Sequence, residues 1–398
     1  MADPIPSPMR AMALSRLAGF VPSAGQAYAA GRNTDPGPDE PAAVSALSAY
    51  VRYRLIAEQE VVAGVLARHS LESAAKFVQE VLWRTYWKGW LEMRPAVWTR
   101  FLVERDRQHD GFSDTGAIAA AEAGQTGIDG FDDWARELVA TGYLHNHARM
   151  WFASIWIFTL RLPWALGADF FLRHLTDADA ASNTLSWRWV AGLQTPGKTY
   201  LATTENIARY TNGRFAPTGL AREAIALREP PAEAPRALPE PPPYDARQPS
   251  LLLVTSEDMH PESVFPGTAA FKAARVASGG ALLWGDNARR FVRAAAADTV
   301  SRIAVHFDCP VDLTAGLDAQ SLIVAAQGAG VRQIVTPYAP VGPIAGALAP
   351  LVSELAGQGI VLTQIRRDWD RRFWPHATKG FFAFKDRIPA ILRECGLA

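Results

Sequence analysis

The feature that most constrains this chain is a change of pattern at residues 228–249. This stretch, REPPAEAPRALPEPPPYDARQP, is Pro-rich and charged. Such a composition forms a semi-extended linker rather than a core element. Before it, from about residue 45 to 215, apolar residues recur at helical spacing and no strand alternation is visible. Leu71–Met93 carries Gly89 as its only Gly or Pro, and Phe131–Leu162 reads as one or two helices stopped by Pro163. After the linker, short β-rich runs at Leu251–Thr255, Ala281–Trp284, Arg302–His306, Gln333–Thr336 and Ile360–Ile365 alternate with Ala-rich stretches. Those stretches, Thr268–Ser278, Ala288–Ala297, Asp318–Gly328 and Pro343–Gly357, read as helices. Strand–helix alternation of this kind predicts a parallel sheet covered by helices on both faces. The expected division is a helical domain over 1–227, a linker over 228–249 and an α/β domain over 250–398.

Composition narrows the function classes. The 398 residues are long for one core. Lys+Arg and Asp+Glu are both 40, so the net charge is zero and any nucleic-acid contact must come from a local basic patch. Cys309 and Cys395 are too few for a disulfide framework or a four-Cys cluster. The N-terminal stretch MADPIPSPMRAMALSRLAGF lacks a signal-peptide core, and no apolar run approaches the ~20 residues of a membrane span. A reducing, cytoplasmic setting and a monomer are expected. No GxGxxG, no P-loop and no fixed-period repeat occurs.

Three segments carry candidate chemistry. In FVQEVLWRTYWKGW, Glu80, Trp83 and Trp87 stand at i, i+3 and i+7, on one helix face. Read blandly, this is an amphipathic helix with Trp in the core and Glu at its edge. Read functionally, it is a pocket wall, with indoles to stack a flat ligand and a carboxylate for its N–H groups. In TGYLHNHARMWFASIW, His145, Asn146, Arg149, Met150 and Ala153 fall on adjacent helical positions, a polar cluster that needs partners. His145 and His147 are two apart and on a helix point to different faces, so metal binding is not expected. In LTDADAASNTLSWRWVAG, Asp177 and Asp179 precede a helix that presents Asn183 and Trp187 at i and i+4. Asp179 reads as a plain cap, or as an acceptor for ribose or a flavin ring N–H.

In this order and spacing, EVLWRTYW, the run GFDDWARELVATGYLHNHARM and LPWALGADFFLRHLTDADAASNTLSWRWVAG resemble the FAD-binding domain of the photolyase/cryptochrome family. The resemblance runs from about Tyr28 to Trp189. It implies a mainly helical domain holding FAD, and light-driven electron transfer from reduced flavin to a pyrimidine dimer flipped out of DNA. The family is a known case of base flipping. Residue by residue, Tyr28, Ser45, Leu47 and Ser48 resemble the segment that holds the FAD phosphates, although Val44 and Ala46 replace residues that are usually polar or charged. Arg149 and Asp177 resemble the ion pair near the flavin, Asp179 a flavin-ring acceptor, and Asn183 the residue beside the flavin nitrogen that gains a proton. Glu80, Trp83, Asn146, Met150 and Trp189 match dimer-contacting positions, and Trp87 shares the Glu80 face. Asn146 and Met150 stand where the (6-4) branch typically has His, so the cyclobutane-dimer branch is the nearer match.

Trp187 and Trp164 match the inner two members of the family's electron relay. No Trp lies between Trp98 and Trp134, where the outermost would fall. The relay is therefore expected to be shortened, or rerouted through Trp151, Trp156 or Tyr143. The C-terminal part, GVRQIVTPYAPVGP and WPHATKGFFAFKDRIPAIL, resembles the family's Rossmann-like antenna domain, which ordinarily comes first. The two domains thus occur in reversed order, as in a circular permutation. That domain can hold a pterin or deazaflavin, but no residues here point to one. The implied activity is repair of cyclobutane dimers in DNA, single strands being the easier substrate. The rivals are a cryptochrome-like blue-light sensor without repair and a flavin-binding remnant with a structural role.

Overall fold

The computed structural model describes residues 7–37, 40, 42–241 and 244–398. The first six residues of the N-terminal stretch, and Pro242 and Pro243 of the linker, lie outside the described residues. The helical half opens earlier than its periodicity suggests, with α1 (Arg10–Phe20) and α2 (Gln26–Gly31), followed by α3 (Ser48–Arg52) and α4 (Glu58–Leu66). Next come α5 (Ala75–Glu92), α6 (Ala96–Gly111), α7 (Thr115–Glu122), α8 (Phe131–Thr141) and α9 (Asn146–Ser154). A π-turn at Ile155–Thr159 ends that run before Pro163, and α10 (Trp164–His174), α11 (Ala180–Val190) and α12 (Thr204–Tyr210) complete the half. Small residues permit the close approaches. Gly89 lies on α5 where a Cβ would come within 2.9 Å of the Trp374 backbone. Gly142 ends α8 at φ +70°, where a side chain would collide with Thr176.

The second half contains β1 (Ser250–Thr255), β2 (Phe271–Ala277), α13 (Asp286–Phe307), β3 (Val311–Thr314), α14 (Ala319–Gly328), β4 (Gln333–Pro337), α15 (Pro343–Ala356) and β5 (Val361–Ile365). It closes with α16 (Asp368–Phe373), α17 (Phe381–Lys385) and α18 (Ile388–Glu394). All five strands are parallel, in the order β3-β2-β1-β4-β5. The fold is thus a helical domain plus a Rossmann-like α/β sheet.

Several local expectations are corrected. Thr268–Ser278 is strand β2 rather than a helix; its alanines favour helix intrinsically, but pairing with β1 and β3 overrides that preference. Arg302–His306 is the last turn and a half of α13, whose buried residues Phe291, Ala295, Thr299, Ile303 and Phe307 keep a helical period. Ala281–Trp284 is a 3₁₀ turn running into extended chain, and β3 at Val311–Thr314 had no apolar run to announce it.

Side chains alternate across β1, and the alternation shows how the halves join. Leu252 and Val254 enter an apolar core shared with the helical half, whereas Leu251 and Leu253 face a smaller core under α14 and α15. A buried ionic seam reinforces the junction. Arg52 makes two 2.7 Å hydrogen bonds to Glu257. Arg54 bonds Asp370 at 2.8 and 2.7 Å and approaches Glu58 and Asp258, each at 3.4 Å. Arg54 adopts φ +51°, a left-handed backbone that a non-glycine residue holds only when its surroundings fix it. Residues 228–241 form no helix or strand and are mostly exposed, yet they are strapped down. Glu229 pairs with Arg188 at 2.7 Å, and the Arg236 N–H donates to the Met93 carbonyl at 3.0 Å.

Candidate flavin and dimer site

Helix α11 packs against both α5 and α9, and this brings the three motif segments together. Asp179 is the N-cap of α11, with its carboxylate accepting the Ser182 N–H at 2.6 Å. It is also the centre of a charge cluster, paired with Arg84 at 2.7 Å and Arg52 at 3.5 Å. The cap reading of Asp179 holds, and the same carboxylate also carries these ion pairs. Burial opposes its charge, but Arg84, Lys88, Arg52 and the Ser182 N–H outweigh it and hold the carboxyl well below the usual range. Asp177 is buried two residues earlier and lies 3.4 Å from Arg84 and 3.5 Å from Arg149. Arg149 also donates through Nε to the Leu144 carbonyl at 3.0 Å, which fixes the guanidinium beside Tyr143.

Asn183 is buried and donates through Nδ2 to the Ala168 carbonyl at 2.8 Å. Trp187, one turn further along α11, meets Phe171 edge-on with ring centroids 5.1 Å apart. Trp164 begins α10 and is buried against Phe101 at 5.8 Å. Tyr28 is wedged edge-on against Phe77, 5.2 Å away, and burial pushes its phenol upward. Leu47 is buried, with its N–H directed to the Ser45 hydroxyl at 3.4 Å; Ser45 and Ser48 are half-buried.

On α5, Glu80 is half-buried and ion-paired with Arg32 of the α2 C-terminus. Burial raises its carboxyl above the usual range, and Arg32 opposes that rise. Trp83 is half-buried, but Trp87 is buried and packs with its ring centroid 5.2 Å from Trp83. Asn146 is exposed and Met150, one turn on, is half-buried. Trp189 is half-buried and stacks on Tyr200 at 5.7 Å. His145 is the N-cap of α9 rather than a helical residue, so the His145 and His147 rings lie side by side at 6.0 Å instead of on separate faces.

Three residues of this site escaped the sequence reading: Arg52, Arg84 and Lys88. A signal for two was present, since Glu80, Arg84 and Lys88 recur at i, i+4 and i+8 along one face of the helix. Lys88 Nζ is buried without a hydrogen-bond partner, as are the hydroxyls of Thr176, Ser182 and Thr184. Buried polar groups are normally satisfied. Unsatisfied donors around Asp177–Asn183 fit a polar, hydroxyl- and phosphate-bearing cofactor.

Residues 77–214 match the family model described as the FAD binding domain of DNA photolyase. The matched span contains every candidate except Tyr28, Ser45, Leu47 and Ser48, which precede it. Over that span the helical half is similar to an FAD-binding domain of photolyase type, and through it the chain resembles the photolyase/cryptochrome family. A deoxyribodipyrimidine photo-lyase of Streptomyces griseus is 36% identical over 154 residues, which cover 38% of this chain and 33% of that protein. One from Thermus thermophilus is 33% identical over 190 residues, covering 48% of this chain and 44% of that protein. The crystal structure of a bacterial class III photolyase from Agrobacterium tumefaciens shares 27% identity over 51% of this chain and 43% of that one, with a TM-score of 0.44. The chain thus spans less than half the length of these relatives. Among the described residues no helix is long and apolar enough to cross a membrane.

Proposed function

We propose that this protein repairs cyclobutane pyrimidine dimers in DNA under blue light. Bound FAD would supply the light-driven one-electron chemistry; the chain's own residues bind, orient and neutralise. Tyr28, Ser45, Leu47 and Ser48 would line the phosphate end. Arg149, Asp177, Asp179 and Asn183 would hold the ring end, with Arg84, Arg52 and Lys88 compensating the buried carboxylates. Trp187 and Trp164 are the inner relay.

The observation that carries the repair reading is Glu80 beside Trp83. A raised, half-buried carboxylate held by Arg32 offers hydrogen bonds to a dimer's imide edge, and the adjacent indole offers a stacking face. Asn146, Met150 and Trp189 complete the contact set, while Trp87 supports Trp83 from inside. A sensor does not need Glu80 and Trp83 together. The reading takes residues 1–227 and 250–398 as two domains in reversed order, acting as a monomer in the cytoplasm. The test is to purify the protein, record its visible spectrum, and measure dimer loss under blue light in single- and double-stranded DNA at low salt. A yellow protein that leaves both substrates untouched when reduced and illuminated would point to the sensor instead.

A further inference from the structure

Among the described residues the inner relay leads to two aromatic clusters; the first runs out through Phe170 to the half-buried His174 ring, and only the second ends on a half-buried tryptophan. Trp187 contacts Trp156, Phe152 and Phe171, but these rings and the neighbouring Phe170 are all at most 1% exposed. Trp151 is also fully buried, stacked on Trp134. The other cluster starts from α10. Gly167 lies one turn beyond Trp164, and a Cβ there would come within 2.4 Å of the Trp187 ring; the glycine therefore seats Trp187 on the helix that begins with Trp164. From Trp164 the rings continue to Phe101 at 5.8 Å, to Trp98 at 5.4 Å, and to Trp284 at 5.7 Å. Trp98 and Phe101 are one turn apart on α6. Trp284 comes from the α/β half, in the segment before α13, and is half-buried.

Two features hold Trp284 there. At Gly285 any Cβ would overlap the Arg173 carbonyl oxygen, at 1.6 Å, so only glycine lets this segment lie on the end of α10. Asn287 then donates to the His174 carbonyl at 2.9 Å. This is a specific docking of the second half onto α10, and its result is an indole against Trp98.

We propose that Trp98 and Trp284 are the outer electron relay, with Trp284, supplied by the α/β half, as the terminal donor. The proposal rests on the reading that flavin lies beside Trp187. Bound flavin would supply the light-generated oxidising equivalent, which Trp187 would pass to Trp164, leaving it short of one electron. Trp98 gives it one electron across the Phe101 ring, which is harder to oxidise and stays neutral. Trp284 then reduces Trp98 by one electron. The Trp284 cation loses its indole N–H proton to water, and a dissolved thiol returns one electron and one proton, leaving a thiyl radical.

The competing route is direct reduction of Trp164 through a surface groove of about 420 Å³, lined by Arg107, Phe112, Arg161 and Leu227 among others. Flash photolysis of the full-length purified protein separates the two. W284F and W98F should each slow steady photoreduction by roughly tenfold or more. Each should also abolish the long-lived neutral tryptophan radical while leaving the short-lived Trp187 and Trp164 signals. Peptide mapping after prolonged illumination in air should find oxidised Trp284 in the parent and not in W98F. Unchanged radical lifetimes and photoreduction in both variants would overturn the route in favour of the groove. If the parent shows no flash-induced tryptophan radical at all, the flavin reading falls and takes this route with it.

Discussion

The Trp83 indole lies flat on the Phe381 ring, with centroids 3.6 Å apart and planes 11° from parallel. One face of the proposed dimer-stacking residue is therefore taken by the C-terminal segment of the same chain, which fixes its plane. The covering segment is held by Tyr86 donating to the Lys379 carbonyl at 2.8 Å, Arg94 to Thr378 at 2.7 Å, and Trp369 Nε1 to Thr85 at 3.1 Å.

Phe381 is buried, so Phe381→Ala should cost ~3 kcal/mol of stability through lost transfer energy and the remaining cavity. Its distinctive consequence is at Trp83. The freed indole should show a red-shifted, more quenchable emission, and dimer affinity should fall while flavin content is kept. Wild-type dimer affinity in this variant would mean that Trp83 needs no support from the C-terminal segment.

The junction between the halves gives a second expectation. Removing one partner of a buried ion pair strands the other charge, a loss of about 3–5 kcal/mol. Asp370→Ala should lower stability by that order, because Arg54 keeps only the longer contacts to Glu58 and Asp258. A protease should still cut within the exposed stretch 231–241 of the parent. The two fragments should nevertheless co-elute, since they share a core and the Arg52–Glu257 and Arg54–Asp370 pairs. Fragments that part on a sizing column without denaturant would show the seam to be weak.

Asp177 is the acceptor shared by Arg84 and Arg149. Asp177→Ala should give a folded but colourless protein, judged by circular dichroism and by the flavin released on denaturation. Asp177→Asn, which keeps the shape, should retain part of the flavin. Full flavin content in the alanine variant would remove this residue from the cofactor site.

How much of this was legible beforehand depended on whether a signal was local. Leu251–Thr255 announced β1 because a strand buried on both faces is a continuous apolar run. The segment FKAARVA did not announce β2, because its strand state comes from two neighbours distant in sequence. The same division holds at the site. Asp177, Asp179, Asn183 and Trp187 sit on one segment and could be read together. The partners of Asp179 come from α3 and α5, and Glu257 reaches Arg52 across 205 residues. No pattern within one window encodes that meeting. Arg32 likewise finds Glu80 only because α2 folds back onto α5.

Glu137 on α8 supplies a pH dependence. Burial first, and then Asp35 and Asp133, raise its carboxyl from 4.5 to about 7, with Arg214 opposing. The folded state therefore holds a proton that the unfolded chain has lost between those values. Stability from this group is fully present below pH 4.5 and is lost as pH rises through about 7. Glu137→Gln should flatten that limb, by ~2 kcal/mol between its ends, in denaturant titrations at the two pH values. An identical slope in the variant would assign the pH dependence elsewhere.

The proposed repair activity turns on Glu80. Its charge is disfavoured by burial and favoured by Arg32, so the pair sets how much carboxylate is available near neutral pH. A hydrogen bond to a charged group is worth roughly 1.5–3 kcal/mol, so Glu80→Ala should weaken dimer binding by ~10- to 100-fold while flavin colour stays nearly intact. Arg32→Met should act in the same direction but with a pH signature. Without the guanidinium the Glu80 carboxyl rises further, and dimer binding should recover as pH is raised, which it cannot do in Glu80→Ala. Because the chain's net charge is zero, affinity in both backgrounds should be low, fall steeply with salt, and favour single strands, where flipping costs less. Dimer affinity and repair yield unchanged in Glu80→Ala would remove the observation on which the repair reading stands.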